Sequence, residues 1–150
     1  CLFFGCVTIM KEQATRSVFR FIRYIVNDSV IKIKEGDVAN DFKMSLNLNA
    51  EVYDGTNVSK LELAIDVSDA NQVIIAHVVM TGYFESINCD EAQRNAFLCH
   101  NAPAILFPYM RAYISCVTAQ SGMSPVIIPT VNLRKEGENL LTQISKTSEV

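Results

Sequence analysis

The longest regular pattern in this chain is an unbroken alternation of apolar and polar residues from Phe42 to Val52. Successive side chains of a β-strand point to opposite faces, so an alternating segment gathers its apolar side chains on one face. The polar side chains, from Lys43 to Glu51, then occupy the other face. The pattern predicts a strand with one face in a hydrophobic core and the other in water.

The alternation resumes after a turn signal. Asp54-Gly55 tolerates positive φ, and a second alternating segment runs from Lys60 to Val67 with its larger apolar residues at the odd-numbered positions. Because the turn between the two segments is short, they predict a long antiparallel hairpin.

Two further stretches have the composition of strands. A mostly apolar run from Val73 to Met80, which continues through Phe84, predicts a more buried strand. The segments 19–26 and 30–33 predict an earlier strand that is broken or bulged near Asn27-Asp28-Ser29. Four strand segments therefore precede any helical signal.

Helical signals follow Cys89. Asp90-Glu91 places carboxylates at a helix start, where the helix dipole is positive, and Asn101-Ala102-Pro103 is expected to close this short helix. Pro108 suits the first position of a longer amphipathic helix that ends near Gly122. Its predicted stripe consists of Tyr109, Ala112, Tyr113, Cys116, Val117 and Gln120.

Strands that come before helices favour an α+β fold. We expect a four-stranded antiparallel sheet with helices packed on one face and water on the other. The segment 124–131 is expected to run extended, because each of its two prolines disfavours helix in the preceding residue. We assign residues 17–133 to one domain, 134–150 to a mobile tail with at best a loosely docked helix, and 1–16 to a leader outside the fold. Met10 is the expected start of the protein.

Charge and composition exclude several classes of partner. The chain has 13 Lys and Arg against 16 Asp and Glu, a formal net charge of -3, so no counterion release favours nucleic acid. The apolar opening, Cys1 to Ile9, has half the length that a membrane span needs, so we expect no stable membrane insertion. The 5 cysteines form no C-x-x-C pair, which favours reduced thiols, no metal and a cytoplasmic location.

The chain contains no common signature of an enzyme active site. P-loop, dinucleotide-binding, nucleophile-elbow and zinc-protease motifs are all missing from the sequence. His77 lies among apolar residues of a predicted strand, and Cys99-His100 would point about 100° apart on a helix. Glu51 and Asp66 fall on polar strand faces. We therefore expect no catalytic residue, no cofactor and no enzymatic activity.

The segment from Asn101 to Arg111 is more distinctive. It contains Ile105-Leu106-Phe107-Pro108-Tyr109 and then Arg111. This run resembles the I-L-F-P-Y-x-R motif of the SecB family of export chaperones, which crosses from one helix to the next. Residues 81–87 resemble the family's G-G-x-F-x-I strand end, and residues 129–133 its P-V-N-F/L ending. The resemblance extends from Phe19 to Leu133.

The resemblance implies a holdase, which binds unfolded polypeptides in long apolar surface grooves without nucleotide. It also implies a homo-oligomer, with a dimer of dimers as the family pattern; independently, the wet sheet face and the apolar helix stripe predict a dimer or tetramer. By position, the client-binding groove would be lined by Met44, Leu46, Leu48, Ile105, Leu106, Phe107, Tyr109 and Leu133.

Several positions depart from the family pattern. Export SecB proteins dock on the SecA motor through acidic residues on the exposed sheet face, whereas this chain has His77 and Lys32 at two of those positions and matches only at Asp28. These departures imply weak SecA binding. They resemble SecB-like relatives that serve dedicated clients, such as the antitoxin of a toxin-antitoxin system.

A second function class stays open at this point. An α+β domain of this size could instead enclose a small ligand or act as an isomerase-like protein, with His77 or Glu51 facing a pocket. A deep closed cavity with a titratable group would favour this alternative, whereas a long surface groove would favour the chaperone.

Overall fold

The computed structural model describes residues 18–53 and 55–148. The strands are β1 (Phe19–Ile33), β2 (Phe42–Val52), β3 (Val58–Asp69) and β4 (Ile74–Ser86). The helices are α1 (Glu91–Ala96), α2 (Ala102–Gln120) and α3 (Arg134–Ser148), with a π-helical turn (Phe97–Asn101) between α1 and α2. The expected leader, with Cys1, Cys6 and Met10, lies outside the described residues.

The four strands form one antiparallel sheet in the order β1-β4-β3-β2, as the alternating sequence predicts. The β2–β3 hairpin pairs Phe42 with Asp69 and Val52 with Ser59 without a register shift. Gly55 in the turn has φ 74°, while Asp54 lies outside the described residues. The α+β class and the antiparallel sheet are confirmed.

The predicted break in the first strand is a β-bulge. The β1–β4 register shifts between Val26 and Asp28, and it shifts a second time between Phe21 and Arg23. A bulge inserts one unpaired residue and lets the strand continue. The strand therefore runs unbroken for 15 residues.

The two sheet faces differ sharply in burial. On the inner face, the alternate residues Leu61, Leu63, Ile65 and Val67 of β3 are fully buried or nearly so, like their neighbours on β4. Helix α2 packs on β3 and β4, and α3 packs on β2 and the π-helical turn. The outer face is covered by no element in the described part of the chain, which agrees with the predicted wet face.

The helix boundaries differ from the sequence prediction. Residues 101–103 do not close a helix, and Pro108 does not begin one: it lies inside α2, and Pro103 sits in its first turn. A proline in the first turn loses no hydrogen bond, whereas one in a helix interior costs roughly 3 kcal/mol. Burial of Leu106 and Met110 on either side of Pro108 offsets that cost.

Most of the predicted stripe of α2 lies outside the core, against which only Tyr113 of the stripe packs. The buried side chains in the middle of helix α2 are instead Leu106, Phe107, Met110, Ile114 and Thr118. Tyr109, Ala112 and Cys116 of the predicted stripe are exposed, and Tyr113 and Val117 are half-buried. The helix is thus apolar on both sides, and periodicity alone selects the wrong one.

The segment after Asn132 also differs from the prediction. Where a mobile tail was expected, the structure has α3, whose Leu140 is 2% exposed in the core. Gly137 makes this possible, because a Cβ there would collide with the carbonyl oxygen of Cys99. The preceding residues 124–131 form neither helix nor strand, and Ser115 donates a hydrogen bond from Oγ to the Val126 carbonyl (2.8 Å). The boundaries assigned to leader, domain and tail stay predictions.

Candidate functional site

An aromatic cluster lies partly exposed where α2 meets the edge strand β1. The Tyr109 ring centroid is 4.8 Å from that of Tyr24 and 5.5 Å from that of Phe21. Tyr109 is 40% exposed and Tyr24 is 42% exposed, although aromatic side chains of this size usually gain by burial. Phe21 connects the pair to the buried Phe84, with the ring centroids 5.2 Å apart. The cluster is therefore a partly exposed apolar surface that packs on the buried core.

The first bulge of β1 explains how Tyr24 reaches this cluster. Phe21 pairs with Phe84 and faces inward, so a regular strand would send Arg23 inward and Tyr24 outward. The extra residue, Ile22, reverses this: Tyr24 pairs with Gly82 on the inner face, and Arg23 lies over the Tyr83 ring on the outer face. In the sequence, this arrangement is signalled by Arg20 and Arg23, which interrupt the alternation of β1.

A second candidate surface is a solvent-open cavity of about 520 Å³ between α2 and residues 130–134, here called the α2 pocket. Its apolar lining includes Phe107, Val131 and Leu133. Its polar lining includes His100, Arg111 and Arg134. Arg111 is anchored by a hydrogen bond from its Nε to the carbonyl of Ile128 (2.8 Å).

The structure distributes the eight residues expected to bind clients over four environments. Phe107 and Leu133 line the α2 pocket, and Tyr109 belongs to the aromatic cluster. The half-buried ones are Met44, Leu46 and Ile105, whereas Leu48 and Leu106 are buried in the core. Leu106 is fully buried and packs beside Gly82, so it supports the surface from below.

Several residues of the aromatic cluster and the α2 pocket are not among those predicted from the sequence to line the groove. Tyr24 and Phe21 were missed because the bulge at Ile22 decides their face. Arg111 was noticed in the motif, but its position in a cavity depends on the course of residues 128–134. His100 lies on the π-helical turn, which moves it relative to a regular helix.

The outer sheet face carries His77 between two carboxylates. Its Nδ1 lies 2.7 Å from Asp66 Oδ1, and its Nε2 lies 3.8 Å from Asp28 Oδ2. Exposed apolar side chains, Val30 and Ile75, lie beside it. His77 is therefore a sheet-surface residue, as predicted, and it does not face an internal cavity.

Two groups with shifted pKa values are structural. Burial alone would raise the pKa of Asp69, but backbone N–H groups, including those of Ala39 and Ile74, donate to its carboxylate and lower the pKa. Burial raises the pKa of the Cys99 thiol to about 11. The hydrogen-bonded carboxylate of Asp69 stabilises the β3–β4 turn, and the buried thiol of Cys99 stays protonated.

Neither a metal site nor a membrane helix is found in residues 18–53 and 55–148. No group of three or more His, Cys, Asp or Glu side chains is arranged to hold a metal ion there. No helix in the same residues is both long and apolar enough to cross a bilayer. Glu51, the other residue considered for an enclosed ligand site, is exposed and pairs with Lys60 (2.6 Å).

Comparisons with known proteins agree with this architecture. The family model described as SecB, preprotein translocase subunit SecB, matches residues 32–136. The uncharacterized protein MJ0357 of Methanocaldococcus jannaschii is 28% identical over 130 residues, which cover 81% of this chain and 84% of that protein. The protein-export protein SecB of Saccharophagus degradans is 28% identical over 90 residues, 58% of this chain and 54% of that protein. The chain thus spans little more than half the length of the latter relative.

A solved structure has the same fold. It is the SecB-like chaperone Rv1957 of Mycobacterium tuberculosis, in complex with a ChAD peptide from the antitoxin HigA1. The TM-score is 0.62 at 10% identity, over 76% of this chain and 91% of that one. The likeness extends the sequence matches to the arrangement of sheet and helices.

Proposed function

Because the chain belongs to the SecB family of chaperones, we propose that it is an ATP-independent holdase, which binds unfolded or non-native polypeptides on apolar surfaces. Holding a chain requires apolar area and hydrogen-bonding groups but no bond chemistry. We accordingly propose no catalytic residue and no cofactor. The observation that carries the proposal is the partly exposed aromatic cluster, in which the rings of Tyr24 and Tyr109 meet at the surface with an interplanar angle of 36°.

The edge strand β2 supports the same function. Its inward side chains Met44 and Leu46 are only half-buried, and no strand pairs with its outer edge in the described residues. An unpaired edge offers backbone N–H and C=O groups to an added extended chain. An unfolded client could therefore gain main-chain hydrogen bonds and apolar burial along one strand.

We propose a dedicated client over SecA-dependent export as the more suitable role. The outer sheet face, where export SecB proteins are acidic, has His77 bonded to Asp66 and a neighbouring Lys32. The antitoxin peptide bound by the SecB-like chaperone of M. tuberculosis supports a toxin-antitoxin client for this chain too. The cytoplasm, where such clients emerge, is the proposed location.

We further propose that the chain assembles as a dimer or as a dimer of dimers. A helix face that carries apolar side chains is usually buried, and α2 leaves Ala112, Cys116 and part of Val117 uncovered in the single chain. Analytical ultracentrifugation should give a dimer or tetramer mass at micromolar concentration. A monomer under those conditions would contradict this part of the proposal.

Substitutions of one half-buried and one exposed apolar side chain test the holding function. Leu46→Asp and Tyr109→Asp should each weaken suppression of aggregation of an unfolded client, because an Asp removes apolar contact area and resists desolvation. Lys43→Asp on the opposite face of the same strand is the matched control and should protect like the unchanged protein. Leu106→Asp is unsuitable, because Leu106 is fully buried and the carboxylate would unfold the core.

The outcome depends on folding controls. The thermal midpoint and sedimentation coefficient of each variant separate loss of holding from loss of structure. If both variants stay folded and assembled and still protect fully, these surfaces do not bind clients.

A further inference from the structure

We propose that the α2 pocket binds an acidic side chain of the client, an Asp or Glu that lies next to apolar residues. This inference rests on the proposed holding function and adds a charge preference to it. It comes from the lining of the pocket: two arginines and a histidine, Arg111, Arg134 and His100, with no Asp or Glu among the lining residues. In a chain with a formal net charge of -3, two arginines in one lining that holds no carboxylate are a local feature.

Arg111 has the geometry of a carboxylate receptor. Its Nε donates to the Ile128 carbonyl at 2.8 Å, which fixes the plane of the guanidinium. The two Nη groups make no hydrogen bond or ion pair within the described residues. Arginine pairs with carboxylates through two parallel N–H donors, and a side chain that is already anchored loses little entropy when it does so.

Arg134 is a weaker contributor. Its Nε lies 3.1 Å from Glu138 Oε1 one turn later in α3, and this exposed pair partly neutralises it. Arg134 is 79% exposed, so solvent screens it strongly. Half-buried Arg111 is therefore expected to dominate the charge preference, with Arg134 adding a smaller share.

The remaining lining favours a peptide over a free anion. Phe107, Val131 and Leu133 give the pocket apolar walls that a small inorganic anion would leave uncovered. Pro108 has no N–H, so it withdraws a helical donor from the carbonyl of Ala104, and both residues line the pocket. A peptide can supply all three complements: a carboxylate, apolar neighbours and a backbone N–H.

The test uses short fluorescein-labelled peptides that carry Leu and Phe around one variable position, which is Glu, Gln or Lys. The unchanged protein should bind the Glu peptide about five-fold more tightly than the Gln peptide, and the Lys peptide more weakly than either. In Arg111→Gln the ratio of Gln to Glu dissociation constants should fall to about one. Lys135→Gln is the matched control, since it removes one positive charge next to Arg134 but does not line the pocket; it should leave the ratio unchanged.

Arg134→Gln provides a second variant in case loss of the Arg111–Ile128 bond loosens the fold. It should lower the ratio by about half, because Arg134 is exposed and partly paired. Equal binding of the Glu and Gln peptides by the unchanged protein, or a ratio that survives Arg111→Gln in a folded variant, would overturn the inference. If the Gln peptide and an unfolded client still bind in those cases, the holding function stands. If neither binds, the holding function itself fails.

Discussion

The docking of α3 on the rest of the fold depends on one glycine, and this makes Gly137→Ala informative. In an isolated helix, replacing Gly with Ala stabilises by about 1 kcal/mol, because Ala loses less backbone entropy. Here the new Cβ would overlap the carbonyl oxygen of Cys99 and lie 3.1 Å from its carbonyl carbon. Both atoms belong to backbone in the π-helical turn, so no side-chain rotation can relieve the collision.

The helix must therefore shift outward, and its buried contacts weaken. Leu140 is 2% exposed, and full burial of a leucine contributes about 1.5–3 kcal/mol. Leu141 and Ile144, which pack against the same core, add a part of that amount each. Against a gain of about 1 kcal/mol in helix propensity, we expect Gly137→Ala to lower the free energy of unfolding by about 1–3 kcal/mol.

Asn139→Ala is the matched control, because it raises helix propensity at an exposed site two residues further along α3. It should stabilise by about 0.5 kcal/mol. Urea titration followed by circular dichroism measures both changes under the same conditions. If Gly137→Ala is as stable as the unchanged protein or more so, the close contact between α3 and the π-helical turn is refuted.

Three further predictions concern charge and thiol chemistry. The pKa of Asp69 is lowered in the folded state, so its carboxylate should stabilise the fold fully above the unfolded-state pKa and lose this effect as the pH falls through the folded-state pKa. Asp69→Asn should therefore lower the free energy of unfolding at pH 7 but hardly change it at the acid end of a series of denaturations. Equal losses at both ends of the series would contradict this. SecA should bind this chain weakly at physiological salt in a calorimetric titration, and the double substitution His77→Glu with Lys32→Glu should strengthen binding. Tight binding of SecA by the unchanged protein would refute the inference that His77 and Lys32 weaken it. Mass-spectrometric mapping of alkylation should find Cys89 modified well before Cys99, because Cys89 is only half-buried, whereas burial of Cys99 raises its pKa to about 11. Faster labelling of Cys99 would be the contrary result.

The sheet was predictable because its signal is local. Period-two alternation fixes which face of β2 and β3 is buried, and the observed bounds of β2, Phe42–Val52, coincide with the predicted ones. The bulge at Asn27 was also visible as a polar interruption. The bulge at Ile22 could not be located, because Arg20 and Arg23 interrupt the alternation of β1 without showing which residue is unpaired.

The helices were less predictable because tertiary contacts override local signals there. Two prolines looked like boundaries, yet Pro108 lies inside α2, where packing of Leu106 and Met110 offsets its cost. The polar tail was expected to hold at best a loosely docked helix, since nothing in its sequence shows that Gly137 fits against the backbone of Cys99. The candidate surfaces depend on these tertiary contacts. Tyr109 and Phe107 were therefore predictable as site residues, but the positions of Tyr24 beside Tyr109 and of Arg111 beside Phe107 were not.

The central claim is that this chain holds unfolded polypeptides without nucleotide. The most direct measurement is fluorescence anisotropy of one labelled protein in two forms, a reduced, permanently unfolded form and its native form, titrated with the unchanged chain in the presence and absence of ATP. We expect saturable binding of the unfolded form, little binding of the native form, and binding curves that ATP does not alter. Failure of the folded and assembled chain to bind the unfolded form, or binding that requires ATP, would contradict it.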